Sequence, residues 1–308
     1  MNVKHPPESL ERSADFPASS SGVCSLELAS PDGTLLHASV INAENPVAGL
    51  LLVHGMQSHA RWFEVSGTLN TLSNSGITCL AYDRRGSGRS GGKIGHADSA
   101  EQMLEDFATG LAGLRELLAK SENPDAPIHV LANCFGTRIT LPYLMKEPSA
   151  FQSVILTAPA THMSSKADYG TMQRLEILFS RRNRYFDTPL QDQYFVSSDP
   201  ALNWIHNDEL SLRRVTGSFL LSTNALTKKM YKAARTLSIP LLVILGTRDC
   251  MVNNQAIRSD FVGNYKGPCR VVEYNAEHYI DFTEYQSELA REVASWIISE
   301  SGREGIQR

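Results

Sequence analysis

Residues 127–137 read Pro127-Ile128-His129-Val130-Leu131-Ala132-Asn133-Cys134-Phe135-Gly136-Thr137. An apolar, branched run stops at Asn133, and helix-compatible residues begin at Gly136. That is a strand, a sharp turn and a helix, with a thiol at the apex. The layout is that of the turn G-x-S-x-G, with Ala132 for the first glycine, Cys134 for serine and Gly136 retained. The flanking positions must be small because the chain passes close to itself there. A cysteine after a strand can equally be a small core side chain, so its meaning depends on what surrounds it.

Working outward, strands and helices alternate. Cys24 to Ala29 and Leu35 to Ile41 read as strands around the turn Ser30-Pro31-Asp32-Gly33. Val47 to Val53 and Ile77 to Tyr82 are continuous apolar runs, as expected for strands buried on both faces. Trp62 to Ser75 has helical spacing and ends at Asn74-Ser75-Gly76. Asp98 to Ala119 carries apolar residues at Met103, Phe107, Leu111, Leu114 and Leu118, a long amphipathic helix. Pro127 to Ala132 is the strand before Cys134, and Gly136 to Met145 the helix after it. Further strands read at Val154 to Thr157, Pro240 to Leu245 and Arg270 to Tyr274, with helices at Asn254 to Val262 and Thr283 to Ser299. Such alternation predicts an α/β fold with a mostly parallel sheet between helices, whose functional groups gather at the carboxyl ends of the strands.

Composition narrows the function. The chain has 308 residues, 42% hydrophobic and 20% charged, with a net charge of -4. That is enough for a full core and argues against a nucleic-acid binder, which is usually basic. No apolar run is long enough to span a membrane. Residues 1–22 are polar, lack the apolar region of a secretory signal, and read as a mobile tail. Cys24, Cys79, Cys134, Cys250 and Cys269 are odd in number and show no C-x-x-C spacing, so neither a disulfide framework nor a zinc site is expected. A reducing, cytoplasmic setting follows.

Three strand ends carry reactive side chains in chain order: Cys134, Asp249 in Gly246-Thr247-Arg248-Asp249, and His278 in Asn275-Ala276-Glu277-His278. Each has a plainer reading. Asp249 could cap the following helix, His278 could be a surface histidine, and Glu277 or Asp281 could be the acid instead. Nucleophile, acid, histidine is nevertheless the order of the α/β-hydrolase fold.

With Leu51-Leu52-Val53-His54-Gly55-Met56 and Tyr82-Asp83-Arg84-Arg85-Gly86-Ser87-Gly88-Arg89-Ser90, the chain from about Ser25 to Ser299 resembles the α/β-hydrolase superfamily. Within it, the chain is similar to the monoacylglycerol-lipase/lysophospholipase-like branch. Ala132, Asn133 and Cys134 depart from that pattern, in which Gly, His and Ser are usual. The resemblance implies a core over 23–160 and 236–300, a helical lid over 161–235 and a C-terminal tail over 301–308. It also implies that the glycine-rich loop after Asp83 is structural, with no nucleotide cofactor; G-x-G-x-x-G spacing is absent.

The implied roles follow. The Cys134 thiolate is the nucleophile, favoured by the N-terminus of the helix after it and by a protonated His278. Asp249 fixes the His278 tautomer. Backbone N–H groups of Met56 and Phe135 form the oxyanion hole, and His54 braces that loop. No metal is called for.

The insertion carries eleven Lys and Arg against seven Asp and Glu, a balance of +4, while the rest of the chain is -8. Arg181, Arg182 and Arg184 are its densest cluster. They read either as a solvated face or as a contact for an anionic partner at the mouth, such as an acyl carrier protein or coenzyme A thioester. Three functions are compatible with these residues. They are an acyl hydrolase on esters or thioesters, an acyltransferase or cyclase passing the acyl group to another acceptor, and a non-catalytic binder. Base rate for the fold favours the first.

Overall fold

The computed structural model describes residues 3, 4 and 21–302. In chain order the elements are β1 (Val3–Lys4), β2 (Cys24–Ala29), β3 (Leu35–Ile41), β4 (Ala48–Val53), α1 (Arg61–Val65), α2 (Thr68–Asn74) and β5 (Ile77–Tyr82). Then come α3 (Ala100–Ala119), β6 (Ile128–Asn133), α4 (Thr137–Leu144), β7 (Ser153–Thr157), α5 (Thr171–Phe179), β8 (Tyr185–Asp187) and α6 (Asp199–His206). The chain finishes with β9 (Arg214–Thr216), α7 (Gly217–Ala234), β10 (Leu241–Gly246), α8 (Asn254–Ala256), β11 (Cys269–Tyr274) and α9 (Gln286–Ser301).

Nine strands form one sheet in the order β1-β11-β10-β7-β6-β4-β5-β3-β2. β2 and β3 are antiparallel to their neighbours and the rest run parallel. The alternating side chains of each central strand enter two different cores. Leu51, Val53, Val130 and Ala132 pack with Phe107, Leu111 and Phe219 from α3 and α7. Leu50, Leu52, Cys79 and Leu131 pack with Leu69, Leu289 and Trp296 from α2 and α9. Burial on both faces is why these strands read as unbroken apolar runs.

Three expectations need adjusting. Residues 1–22 are not a tail throughout, since Val3 and Lys4 pair with Glu273 and Tyr274 at the sheet edge; residues 5–20 and 303–308 lie outside the described residues. The helix expected over Trp62 to Ser75 breaks at Gly67, whose φ of 79° no helix accommodates. The helix after Asp249 starts as α8, widens into a π turn at Ile257–Phe261 and tightens to a 3-10 turn at Val262–Asn264.

Residues 161–235 lie between β7 and β10 and are not all helical: β8 and β9 form a small antiparallel pair. Part of this insertion is tied firmly to the core. The Asp208 carboxylate accepts hydrogen bonds from His59 Nε2 at 2.8 Å and Trp62 Nε1 at 2.9 Å. Trp62, fully buried, packs with Phe195, Ile205, Tyr279 and Phe282 in a third core. By contrast α5 buries only Ile177. No helix among the described residues is long and apolar enough to cross a membrane.

Candidate active site

Strand register brings the candidate groups to one edge. Val53 pairs with Ala132, Asn133 and Ile244 both pair with Thr157, and Gly246 pairs with Tyr274. The residues that follow these strand ends therefore emerge side by side.

Cys134 sits at the apex of the turn after β6 with φ 44°, a left-handed conformation in a residue that has a Cβ. Holding it costs about 1–3 kcal/mol, which the surrounding packing must supply. The turn closes onto β4: a Cβ at Gly136 would lie 2.5 Å from the Val53 carbonyl oxygen. That contact is why glycine is retained there, while Ala132 fits the position before the apex. The 3-10 turn Cys134–Gly136 then runs into α4.

His278 and Asp249 meet behind the thiol. His278 Nδ1 lies 2.7 Å from Asp249 Oδ2, and both side chains are fully buried. The other Asp249 oxygen accepts N–H bonds from Met251 and Val252 at 2.7 and 3.3 Å. The helix cap is instead Asn253, which accepts from the Ala256 N–H. His278 Nε2 is buried without a well-formed hydrogen bond and faces Cys134. Burial opposes the imidazolium, but the charges of Asp249 and of a Cys134 thiolate, and the hydrogen bond to Asp249, outweigh it and raise the His278 pKa well above its ordinary value. The other acids are engaged elsewhere. Glu277 pairs with Arg248 and Ser197, and Asp281 accepts from the Thr68 hydroxyl.

Met56 and Phe135 both line a cavity of about 650 Å³ that opens onto Cys134. As the second residue of a helical turn, Phe135 has an N–H with no acceptor within that turn. His54 is buried, and burial keeps it neutral by lowering its pKa well below the ordinary value. Its Nε2 accepts the Arg84 N–H at 3.1 Å, so Nδ1 carries the proton toward the Gly55 carbonyl.

Arg84 is the unexpected member. Its guanidinium donates to the Gly55 carbonyl at 2.9 Å, to Met56 at 3.0 Å and to His54 at 3.4 Å. It also stacks 4.6 Å from the centre of the Phe135 ring. It is buried, and among the described residues no carboxylate pairs with it. Burial pushes its pKa down to about 10, so it stays charged at neutral pH. The Gly55–Met56 peptide thus accepts a charged hydrogen bond at its oxygen, which polarises its N–H toward the cavity. The adjacent Arg85 donates to Asp106, Asp32 and Ser30.

The basic cluster of the insertion lies outside the cavity lining. Arg181, Arg182 and Arg184 are exposed on the α5–β8 connection and none lines the cavity. Arg184 pairs with Glu176 and stacks on Phe186. The arginines that do line it are Arg138 and Arg174. A second depression, of about 560 Å³, lies at Arg61, Trp204 and Asp208, away from Cys134.

Comparison with known proteins agrees with this geometry. Residues 44–277, more than half of the chain, match the family model described as serine aminopeptidase, S33. The chain belongs to that family. A monoacylglycerol lipase of Mycolicibacterium smegmatis is 26% identical over 265 residues, covering 83% of this chain and 89% of that one. The crystal structure of a Paleococcus ferrophilus monoacylglycerol lipase superposes with a TM-score of 0.73 at 21% identity, covering 86% of this chain and 99% of that one. A Saccharomyces cerevisiae monoglyceride lipase bound to a substrate analogue gives 0.81 at 16% identity, covering 93% and 99%. The fold is that of the α/β-hydrolases. In this S33 member the apex residue is Cys134 where the family name speaks of serine.

Proposed function

We propose that this chain is an acyl hydrolase acting on esters and thioesters through a Cys134 S-acyl intermediate. The observation that carries the reading is the buried His278–Asp249 pair facing a thiol held at φ 44° on the floor of an open cavity. Monoacylglycerol lipases among the similar proteins, and the apolar Met163, Ile177, Leu178 and Leu220 in the cavity wall, support a fatty-acyl substrate. The insertion acts as a lid over it.

The steps follow from the placement. With His278 protonated, the Cys134 thiolate attacks the acyl carbonyl carbon and forms the C–S bond. The Met56 and Phe135 N–H groups receive the carbonyl oxygen as it becomes an oxyanion. When the tetrahedral adduct collapses, the bond to the leaving sulfur or oxygen breaks and His278 Nε2 gives that atom its proton. The now neutral His278 removes a proton from water, whose oxygen attacks the thioester. The C–S bond then breaks, the carboxylic acid departs and the thiolate–imidazolium pair re-forms.

The thiol itself favours a second reading, acyl transfer to an amine, alcohol or carbon acceptor. Exchange between thioesters is nearly balanced in energy, whereas a thiolate expelling an alkoxide works uphill. Carrier-bound donors, an acyl carrier protein or coenzyme A thioester, belong to this reading.

Intact-protein mass spectrometry after mixing with acyl thioesters and p-nitrophenyl esters tests both, with Cys134→Ala alongside. The expected result is an acyl adduct on the wild type and none on the variant, with turnover reduced at least about 10³-fold. Rapid loss of the adduct to water identifies the hydrolase, and persistence until an acceptor is added identifies the transferase. An unmodified, inactive wild type would leave a ligand-binding protein.

A further inference from the structure

Arg138 stands one helical turn beyond Cys134, at the i+4 position, in the wall of the same cavity. Its Nε donates to the Ala160 carbonyl at 3.0 Å, which fixes the guanidinium plane and leaves the terminal nitrogens for other partners. Ala160 is in turn bonded to the nucleophile turn, its N–H donating to the Cys134 carbonyl at 3.2 Å. Arg138 is therefore positioned by the same backbone that positions the thiol.

Charge in the cavity is unbalanced. The other lining arginine, Arg174, is neutralised by Asp168 and also donates to the Tyr169 carbonyl. Among the described residues Arg138 makes no ion pair. Helix α7 adds only neutral, polar side chains to the lining, at Thr223, Asn224, Thr227 and Tyr231. Burial lowers the Arg138 pKa, opposed only in part by the charges of Cys134, Tyr231 and Asp168, of which Asp168 is already salt-bridged to Arg174. A half-buried guanidinium without a counter-ion is an unfavourable arrangement unless a ligand completes it. A neutral acylglycerol offers nothing that would.

We infer that Arg138 determines specificity by binding a carboxylate on the substrate. The substrate class is an ester or thioester whose acyl or leaving portion carries a free carboxylate within reach of one helical turn from the reacting carbonyl. With Nε already engaged, the two terminal nitrogens meet the carboxylate oxygens as a fork. Asn224 and Thr227 can hydrogen-bond the same group. The inference deepens the acyl-enzyme reading and rests on it for turnover, though not for binding.

Two arms test it. The first compares p-nitrophenyl half-esters of dicarboxylic acids, from succinate to suberate, with isosteres ending in an uncharged amide. Wild type should favour the best half-ester by about tenfold or more in kcat/KM, mainly through KM. Arg138→Gln should collapse that ratio toward one, and Arg138→Lys should restore part of it. The second arm uses unmodified protein and needs neither turnover nor a variant. Free dicarboxylates should slow alkylation of Cys134 by the neutral reagent iodoacetamide about tenfold, while their diamides do not. Inorganic phosphate runs beside them. Protection by phosphate alone would reassign the site to a phosphoryl group and overturn the carboxylate. Equal alkylation with every additive overturns the inference, as does an unchanged half-ester to amide ratio in Arg138→Gln. If no donor acylates Cys134 yet dicarboxylates protect it, the acyl-enzyme reading fails and the carboxylate site stands.

Discussion

The cavity beside Cys134 has two walls built on opposite principles. The core wall is over-determined. Cys134 is held in a costly backbone conformation by a turn with no room for a Cβ at Gly136, and Asp249, His278 and Arg84 are buried with their partners set at hydrogen-bond distance. The α5 wall is barely held. Ile177 is its one buried side chain, while Met172 is 78% and Phe179 82% exposed. The insertion is divided by the same criterion, since Asp208 and Phe195 lock its middle onto Trp62 while α5 is left outside. Chemistry needs groups fixed within a fraction of an ångström, whereas admitting a chain of variable length needs a wall that can yield.

The sharpest way to break this contrast is at Arg84. If its bonds to the 54–56 carbonyls aim and polarise the oxyanion loop, Arg84→Gln lowers kcat about 10²-fold, comparable to losing one oxyanion donor. KM should move far less, and Arg84→Lys should recover part of the loss. Equal changes in kcat and KM, tracking a fall in Tm, would reduce Arg84 to a packing role.

Next in size is a pH effect that belongs to the core. Asp281 is fully buried, and burial raises its pKa from 3.8 to about 6 despite the hydrogen bond from Thr68. Between those values the folded chain keeps a proton that the unfolded chain has lost. Stability therefore falls as pH rises through that window and is level above it. The loss is about 3 kcal/mol. Asp281→Asn should remove most of this dependence in urea melts between pH 4 and 7 and be the more stable protein at pH 7. A variant that keeps the wild-type slope would show that Asp281 is ionised in the fold and balanced elsewhere. The α5 wall has no comparable lever among the described residues, because its pairs Arg174–Asp168 and Arg184–Glu176 are exposed and worth little.

What could be read in the sequence follows the same division. Strand periods located β2 through β7, β10 and β11 to within a residue or so; for β4 through β7 and β10, burial on both faces leaves unbroken apolar runs. Cys134, Asp249 and His278 were visible because each follows a strand so located. Arg84 was visible only as part of a motif. Its role depends on the loop after β4 folding over it, a contact between segments about thirty residues apart. Arg138 had one local signal, its i+4 spacing from Cys134, but its meaning required knowing that Asp168 goes to Arg174. In the insertion, charge density singled out Arg181, Arg182 and Arg184, which are exposed and do not line the cavity. Exposed segments put polar residues everywhere, so density there says nothing about direction. β8 and β9, three residues each, are too short to carry a period.

The smallest expected effect tests the yielding wall directly. Met172→Ser combined with Phe179→Ser removes two large apolar side chains that bury almost nothing. The cost in stability should stay within about 0.5 kcal/mol, as for ordinary surface substitutions. Solubility should rise, because an exposed apolar patch is being removed. If α5 borders the path of a long acyl chain, KM for a long-chain donor rises a few-fold, roughly the worth of partly burying two such side chains, while KM for an acetyl donor is unchanged. A loss of more than about 1 kcal/mol would mean that α5 is packed in solution as firmly as the core, and selectivity would then have to reside in fixed groups such as Arg138 alone.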